Sequence, residues 1–169
     1  MKKTLLFTII LFSFSLNIFA TINSLETFIT PLDDSKYIID INLNIDISDN
    51  LIIISTYSIY NLNVNNKQHS YGLKGGYRWQ GEQISFSLLG GIIQDLDMDE
   101  TILSLASNFR TDFSDKVYFE NNTEILYLPL PFIGIDIKQM LAYKITEELT
   151  IKGGMRFMLG PIFGIEASF

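Results

Sequence analysis

Apolar and polar residues alternate along almost the whole chain after its first twenty residues. The stretch Tyr37–Ser48 has isoleucine or leucine at every second position from Ile39, with aspartate or asparagine between them, and Ser70–Trp79 and Phe132–Ile145 follow a similar rule. A period of two over ten or more residues indicates a β-strand, and tilted strands of about this length are what a membrane crossing requires. The pattern therefore predicts an all-β protein.

Short polar turns divide this pattern at a nearly regular spacing. They are Ser48–Asn50, Gln80–Gln83, Ser114–Lys116 and Thr146–Glu148, and they recur roughly every 33 residues, about the length of a hairpin repeat. We predict ten antiparallel strands, over residues 23–31, 36–47, 51–62, 69–79, 84–94, 101–112, 117–127, 132–145, 149–158 and 161–169. An even number returns both chain ends to one side, as in single-chain bacterial barrels. The first strand has the weakest pattern, and without it the count becomes eight.

The first twenty residues have a different character. Lys2 and Lys3 precede an apolar run from Leu5 to about Leu16, and Ala20 follows. This is the three-part layout of a secretory signal peptide, and the run is shorter than the roughly 20 residues of a spanning helix. We therefore expect a signal peptide over residues 1–20, cleaved after Ala20, and one exported domain over residues 21–169.

Composition and charge exclude several classes of partner. Cysteine is absent, which excludes disulfides and thiol-linked lipid anchors. Removing residues 1–20 takes away Lys2 and Lys3 and no acidic residue, which leaves 10 basic and 19 acidic residues and a net charge of −9. Such an acidic chain is a poor partner for nucleic acid or for anionic lipid headgroups. We expect no nucleic-acid binding.

Charged residues within the predicted strands fall on the polar faces and leave the other faces apolar. A soluble barrel has charges outside and an apolar interior, and many charges would not enter a dry core unless paired. We therefore favour a transmembrane up-and-down β-barrel, with a soluble periplasmic β-sandwich as the alternative. The predicted lumen charge network consists of Asp40, Asp46, Lys74, Arg78, Arg110, Asp112, Glu120, Glu124, Asp136, Lys138, Lys144, Lys152, Arg156 and Glu166.

The chain ends on a strand whose alternate residues are Phe163, Ile165, Ala167 and Phe169. With the export signal and the barrel pattern, the mature chain resembles the small outer-membrane β-barrel proteins of Gram-negative bacteria. In that class a final strand ending in Phe is the insertion signal read by the barrel-assembly machinery, and the resemblance assigns this role to the same four residues. Pro161 departs from the usual aromatic or aliphatic residue. The resemblance implies location in the outer membrane, with its lipid and the assembly machinery as partners.

No residue pattern points to catalysis, a cofactor or a metal. The only histidine, His69, adjoins Ser70, and adjacent strand residues point to opposite faces, so they cannot form a nucleophile–base pair from that strand alone. The acidic stretch Gln94–Glu100 lacks the glycine and the spacing of a calcium loop. We therefore predict a non-enzymatic structural or surface protein, or a narrow pore with a charge-filled lumen. A lipid-modifying barrel enzyme is the alternative.

Hairpin register adds two expectations. It places Asn121 opposite Gln139 and Thr123 opposite Ser107 on the outer face, which predicts either an internal amide hydrogen bond or a contact with a second copy of the chain. On the inner face it places Arg110 opposite Glu120, and Glu166 within reach of Lys152 and Arg156. A ten-stranded barrel is only slightly wider than eight-stranded barrels, whose side chains fill the interior. We therefore also expect a filled lumen.

Overall fold

The computed structural model describes residues 21–33, 35–63, 66–127 and 133–169. The predicted signal peptide, residues 1–20, and the connection at 128–131 lie outside these ranges. Within the described residues, no helix has the length and hydropathy needed to cross a membrane.

Ten strands form one closed antiparallel barrel in which each strand pairs with its neighbours in the chain and the first pairs with the last. The predicted barrel and its count of ten strands are confirmed, and the eight-stranded and sandwich alternatives are wrong because one continuous sheet closes on itself. The strands are β1 Thr21–Asp33, β2 Lys36–Asp46, β3 Leu51–Asn63, β4 Asn66–Gln80, β5 Ile84–Asp95, β6 Glu100–Asp112, β7 Val117–Tyr127, β8 Ile133–Lys144, β9 Leu149–Arg156 and β10 Gly160–Ser168.

Both ends of the barrel domain lie at one rim, here called the terminal rim. Ser24 of β1 pairs with Ser168 of β10, and the Phe169 N–H donates to the Asn23 carbonyl at 3.0 Å. The short turns 47–50, 81–83, 113–116 and 145–148 lie at the same rim, because each follows an even-numbered strand. The opposite end, here called the loop rim, includes the β5–β6 and β9–β10 turns.

Alternation along the strands separates two surfaces. Outward positions, such as Leu88, Leu105 and Ile151, expose large apolar side chains, whereas buried inward positions include Asp40 and Lys152. A water-soluble barrel has the reverse arrangement, while a barrel in lipid has an apolar outer band and a polar interior. The fold therefore presents the surface that lipid requires.

Glycines on the inner face allow the backbones of neighbouring strands to approach closely. Gly76 pairs with Ile52 on one side and with Leu89 on the other. A Cβ atom at Gly76 would lie 2.0 Å from the Leu88 carbonyl oxygen, and one at Gly154 would lie 1.9 Å from the Gln139 carbonyl oxygen. Only glycine permits such close approach of two backbones, which is how barrels introduce curvature.

Candidate functional site

The candidate site is the barrel lumen, and one cluster of charges in it surrounds Lys152. The Lys152 ammonium is fully buried and lies 2.6 Å from Glu26, 2.8 Å from Glu120 and 2.9 Å from Glu166. Tyr118 donates its hydroxyl to Glu166 at 2.8 Å. One cation thus holds three carboxylates from β1, β7 and β10 and joins strands distant in sequence.

A second cluster centres on Asp40 of β2, which is buried. Its carboxylate accepts from Lys138 at 2.7 Å, from Arg156 at 3.0 Å and from Ser58 at 2.7 Å. Arg156 also binds both oxygens of Asp136, at 2.7 and 2.8 Å. This two-pronged geometry suits the planar guanidinium. The cluster closes the side of the lumen formed by β8, β9, β10, β1 and β2, together with the apolar cluster of Phe28, Met140 and Ile162.

The remaining ion pairs lie against the wall. Lys74 binds Glu124 at 2.9 Å, and Ser104 donates to the same carboxylate. A Cβ atom at Gly91 would lie 2.8 Å from the Lys74 Cγ, so the lysine stem lies flat across the space that Gly91 leaves. Nearer the terminal rim, Arg78 binds Asp46 at 3.0 Å and Arg110 binds Asp112 at 2.8 Å.

The fourteen residues of the predicted lumen network all occupy inward-facing strand positions, but several contacts differ from those expected. Arg110 pairs in register with Glu120, yet its guanidinium binds Asp112 and stacks 3.7 Å from the Tyr118 ring centroid. Glu166 contacts Lys152. Among the described ion pairs, Lys144 is the member of the network that does not take part; its ammonium lies 5.9 Å from the Tyr118 ring centroid.

Sequence reasoning missed Glu26, which brings the acidic residues of the network to eight against seven basic ones. Glu26 belongs to β1, whose alternation is interrupted by a bulge between Ile22 and Ser24 and by Pro31. Hairpin register could have placed Glu26 on the inner face, because Glu26 pairs with Asn42 on the polar face of β2. Glu26 also accepts a hydrogen bond from Asn42 at 3.3 Å.

The other side of the lumen is open. A cavity of about 770 Å³ is bordered by residues near the terminal rim, such as Arg78 and Gly81, and by residues nearer the loop rim, such as Tyr60 and Ser70. On β3 and β5 its border includes Ile54 and Ile93. The expectation of a filled interior therefore holds for one side of the barrel only.

His69 and Ser70 lie on opposite faces of β4. Ser70 is buried on the lumen side, whereas His69 faces outward, where its Nδ1 lies 2.7 Å from the Tyr57 hydroxyl and its ring stacks on Tyr57. In the acidic β5–β6 turn, Asp95 accepts the N–H groups of Asp97 and Met98, each at 2.9 Å. That carboxylate holds the turn in shape.

In the described part of the chain, one cluster of three carboxylates has the spacing of metal ligands: oxygens of Glu26, Glu120 and Glu166 lie within 4.8 Å of one another. The Lys152 ammonium contacts all three of these residues. The protein thus supplies its own cation at this position.

Two predicted sets lie on the outer face. Phe163 and Ile165 of the predicted insertion signal are exposed on β10, and the role of that signal stays a prediction. Asn121 pairs with Gln139, and Thr123 with Ser107. The hydrogen bond described within this group runs from Thr123 to Asn121, at 3.1 Å, and not across the strands to Gln139.

A closed ten-stranded antiparallel barrel with an apolar outer surface and a charged lumen has the architecture of outer-membrane β-barrels. Two solved structures share the fold. "KdgM porin in complex with disordered oligogalacturonate" has a TM-score of 0.57 and 10% identity, over 86% of this chain and 99% of that chain. "KdgM porin" has a TM-score of 0.52 and 12% identity, again over 86% and 99%. No family model and no curated protein matches the sequence.

Proposed function

We propose that this chain is a narrow, non-enzymatic pore of the outer membrane of a Gram-negative bacterium. It is exported by its N-terminal signal peptide and inserted through its final strand. The observation that supports a pore best is the cavity along the open side of the lumen, bordered by residues near both rims. The apolar outer surface supports placement in lipid, and the similarity to porin structures supports the barrel architecture.

The charges of the lumen favour small cationic or neutral solutes. The described ion pairs engage Lys74, Arg78 and Arg110 on the open side, and acidic residues exceed basic ones in the network by one. A polyanion such as the oligogalacturonate named with the KdgM porin would need several cations free to bind it, and of the seven basic residues of the network Lys144 alone lies outside the described ion pairs. We therefore propose that this pore does not carry polyanions.

Bilayer recordings in a potassium chloride gradient test this proposal. We expect small currents whose reversal potential shows that K⁺ passes more readily than Cl⁻. Glu124→Gln removes the negative partner of Lys74 beside the cavity and should move the reversal potential toward Cl⁻. Glu147→Gln, in an exposed terminal-rim turn, is the matched control and should change little. A silent bilayer, or a wild-type current carried by Cl⁻, would contradict the proposed pore.

We also propose that the polar patch of Ser107, Asn121, Thr123 and Gln139 contacts a second copy of the chain. An amide without a partner in hydrocarbon costs about 2–7 kcal/mol, and the Gln139 amide is exposed on the outer face. Asn121→Leu with Gln139→Leu should convert an oligomer that cross-links in membranes into a monomer.

The control for the patch replaces another outward polar pair, Gln94 and Thr101, which are hydrogen-bonded to each other at 2.7 Å. Gln94→Leu with Thr101→Leu should leave cross-linking unchanged. If the unmodified protein cross-links only as a monomer, the patch is not a subunit contact.

A further inference from the structure

The barrel wall is lowest where β9 meets β10. β9 has 8 residues and β10 has 9, whereas β4 has 15. β8 pairs with β9 only as far as Lys138, opposite Arg156, and the Phe157 N–H then donates to the Ile137 carbonyl at 2.8 Å. The first residues of β8, up to Asp136, therefore rise above the β9–β10 turn and, among the residues that the structure describes, leave a gap in the wall.

This low wall is shorter than the lipid core that it must cross. A tilted strand of 8 residues rises about 20 Å, against an apolar band about 25 Å tall. Toward the loop rim, the outer faces of β8, which flanks the gap, and of β7 beyond it remain apolar: Ile135 of β8 is 58% exposed and Tyr127 of β7 is 61% exposed. Lipid at the level of Ile135 therefore meets the gap and not a continuous wall.

The β9–β10 turn is itself apolar and borders the lumen. Phe157, Met158 and Leu159 are 61%, 89% and 38% exposed, and all three border the same cavity as the lumen charges. Met158 has a φ of 63°, a conformation that asparagine or glycine adopts more readily. Exposure of three large apolar side chains to water is unfavourable, whereas contact with hydrocarbon removes that apolar surface from water and stabilises it.

On the β7 side of the gap, the lumen is lined by an apolar residue. Leu126 of β7 lies over Gly134 of β8, with its Cβ 3.4 Å from the position that a Cβ would take there. Leu126 borders the cavity, as does Ile93 on the open side. Arg156 lies at the foot of the gap and is bound by Asp136 and Asp40. The lumen therefore offers apolar side chains at Leu126 and Ile93, and the charges at the foot of the gap are paired with one another.

We propose that the gap above the β9–β10 turn is a lateral opening through which small molecules with an uncharged aliphatic or aromatic body pass between the lumen and the lipid. The inference rests on the membrane placement proposed above. It adds a second entrance to the axial one and names the solutes that use it. Ions continue to follow the open side of the lumen from rim to rim.

Photolabelling in phospholipid vesicles with a diazirine-bearing alkanol tests the opening. In the wild-type protein we expect adducts at Leu126 and Ile93, which face the lumen. Adducts at Leu88 and Leu105, which face outward, record the label dissolved in lipid. Met158→Asn with Leu159→Ser suits the backbone of the turn but removes its apolar surface. This variant should lower the lumen adducts, relative to Leu88, about tenfold, the effect of losing roughly one buried apolar contact.

The matched control is Met98→Asn in the β5–β6 turn, an exposed methionine that is not among the residues bordering the cavity. It should leave all adducts unchanged. A wild-type protein without adducts at Leu126, or equal lumen labelling in the wild type and the turn variant, would overturn the lateral opening. Current recorded from the same vesicles tests the pore separately, because ion flow without lumen adducts supports the pore and refutes only the opening.

Discussion

Lys152→Met is expected to cause the largest loss of stability of any single replacement in the lumen charge network. The change leaves Glu26, Glu120 and Glu166 close together with no cation between them, and removing one partner of a buried ion pair costs about 3–5 kcal/mol. Urea unfolding in lipid vesicles, followed by the fluorescence of the single tryptophan, Trp79, measures the effect.

Two further variants separate the role of this charge from a general effect of losing a lysine. Lys144→Met removes a lumen lysine that takes part in none of the described ion pairs, and it should cost little. Combining Lys152→Met with glutamine at Glu26, Glu120 and Glu166 should recover most of the loss, because no buried charge is then left without a partner. If Lys144→Met is as damaging as Lys152→Met, the three-carboxylate cluster does not stabilise the barrel.

Gly154→Ala is expected to prevent the barrel from closing, while Gly153→Ala one residue earlier should be tolerated. A Cβ at Gly154 would meet the Gln139 carbonyl oxygen at 1.9 Å, whereas one at Gly153 would have no atom within 4 Å. Overpacking of side chains costs about 1–3 kcal/mol. A clash with backbone in a closed ladder costs more, since two strands must move apart.

The same comparison is available on the other side of the barrel. A Cβ at Gly91 would lie 2.1 Å from the Leu73 carbonyl oxygen, and one at Gly90 would again have no atom within 4 Å. The yield of heat-modifiable folded barrel in detergent gels should fall sharply for Gly91→Ala and Gly154→Ala and stay normal for the two neighbours. Equal yields for all four variants would mean that these glycines do not set the curvature.

Much of this fold could be predicted because alternation is a local property. A strand that separates lipid from a polar lumen must change polarity at each residue. Segments such as Ile39–Asp46 and Ser70–Trp79 can therefore be recognised as strands from their own sequence, without knowledge of the strands they pair with. Tight turns then fix the register, which is why Asn121 lies opposite Gln139.

Many contacts inside the lumen could not be predicted in this way, because they join strands that are not neighbours. Lys138 binds Asp40 across a separation of 98 residues, and hairpin register carries no information about pairs across the barrel. Long side chains also choose among several partners within reach, as Arg110 does in binding Asp112 instead of Glu120. The low wall at the β9–β10 hairpin was not predicted, because it depends on how far each strand extends relative to its neighbours. β9 ends at Arg156, two residues before its predicted end.

The seam between β1 and β10 has a consequence for assembly. Ser24 pairs with Ser168 there, so β1, the first strand of the chain, can complete its pairing only when β10, the last strand, is in place. Until β10 arrives, β1 and β9 each present a row of unpaired backbone groups, and such edges recruit other chains into aggregates. A chain truncated before residue 160 is therefore expected to form an open sheet that aggregates and not a weakened barrel, which makes protection of the two edges before closure a requirement of this topology.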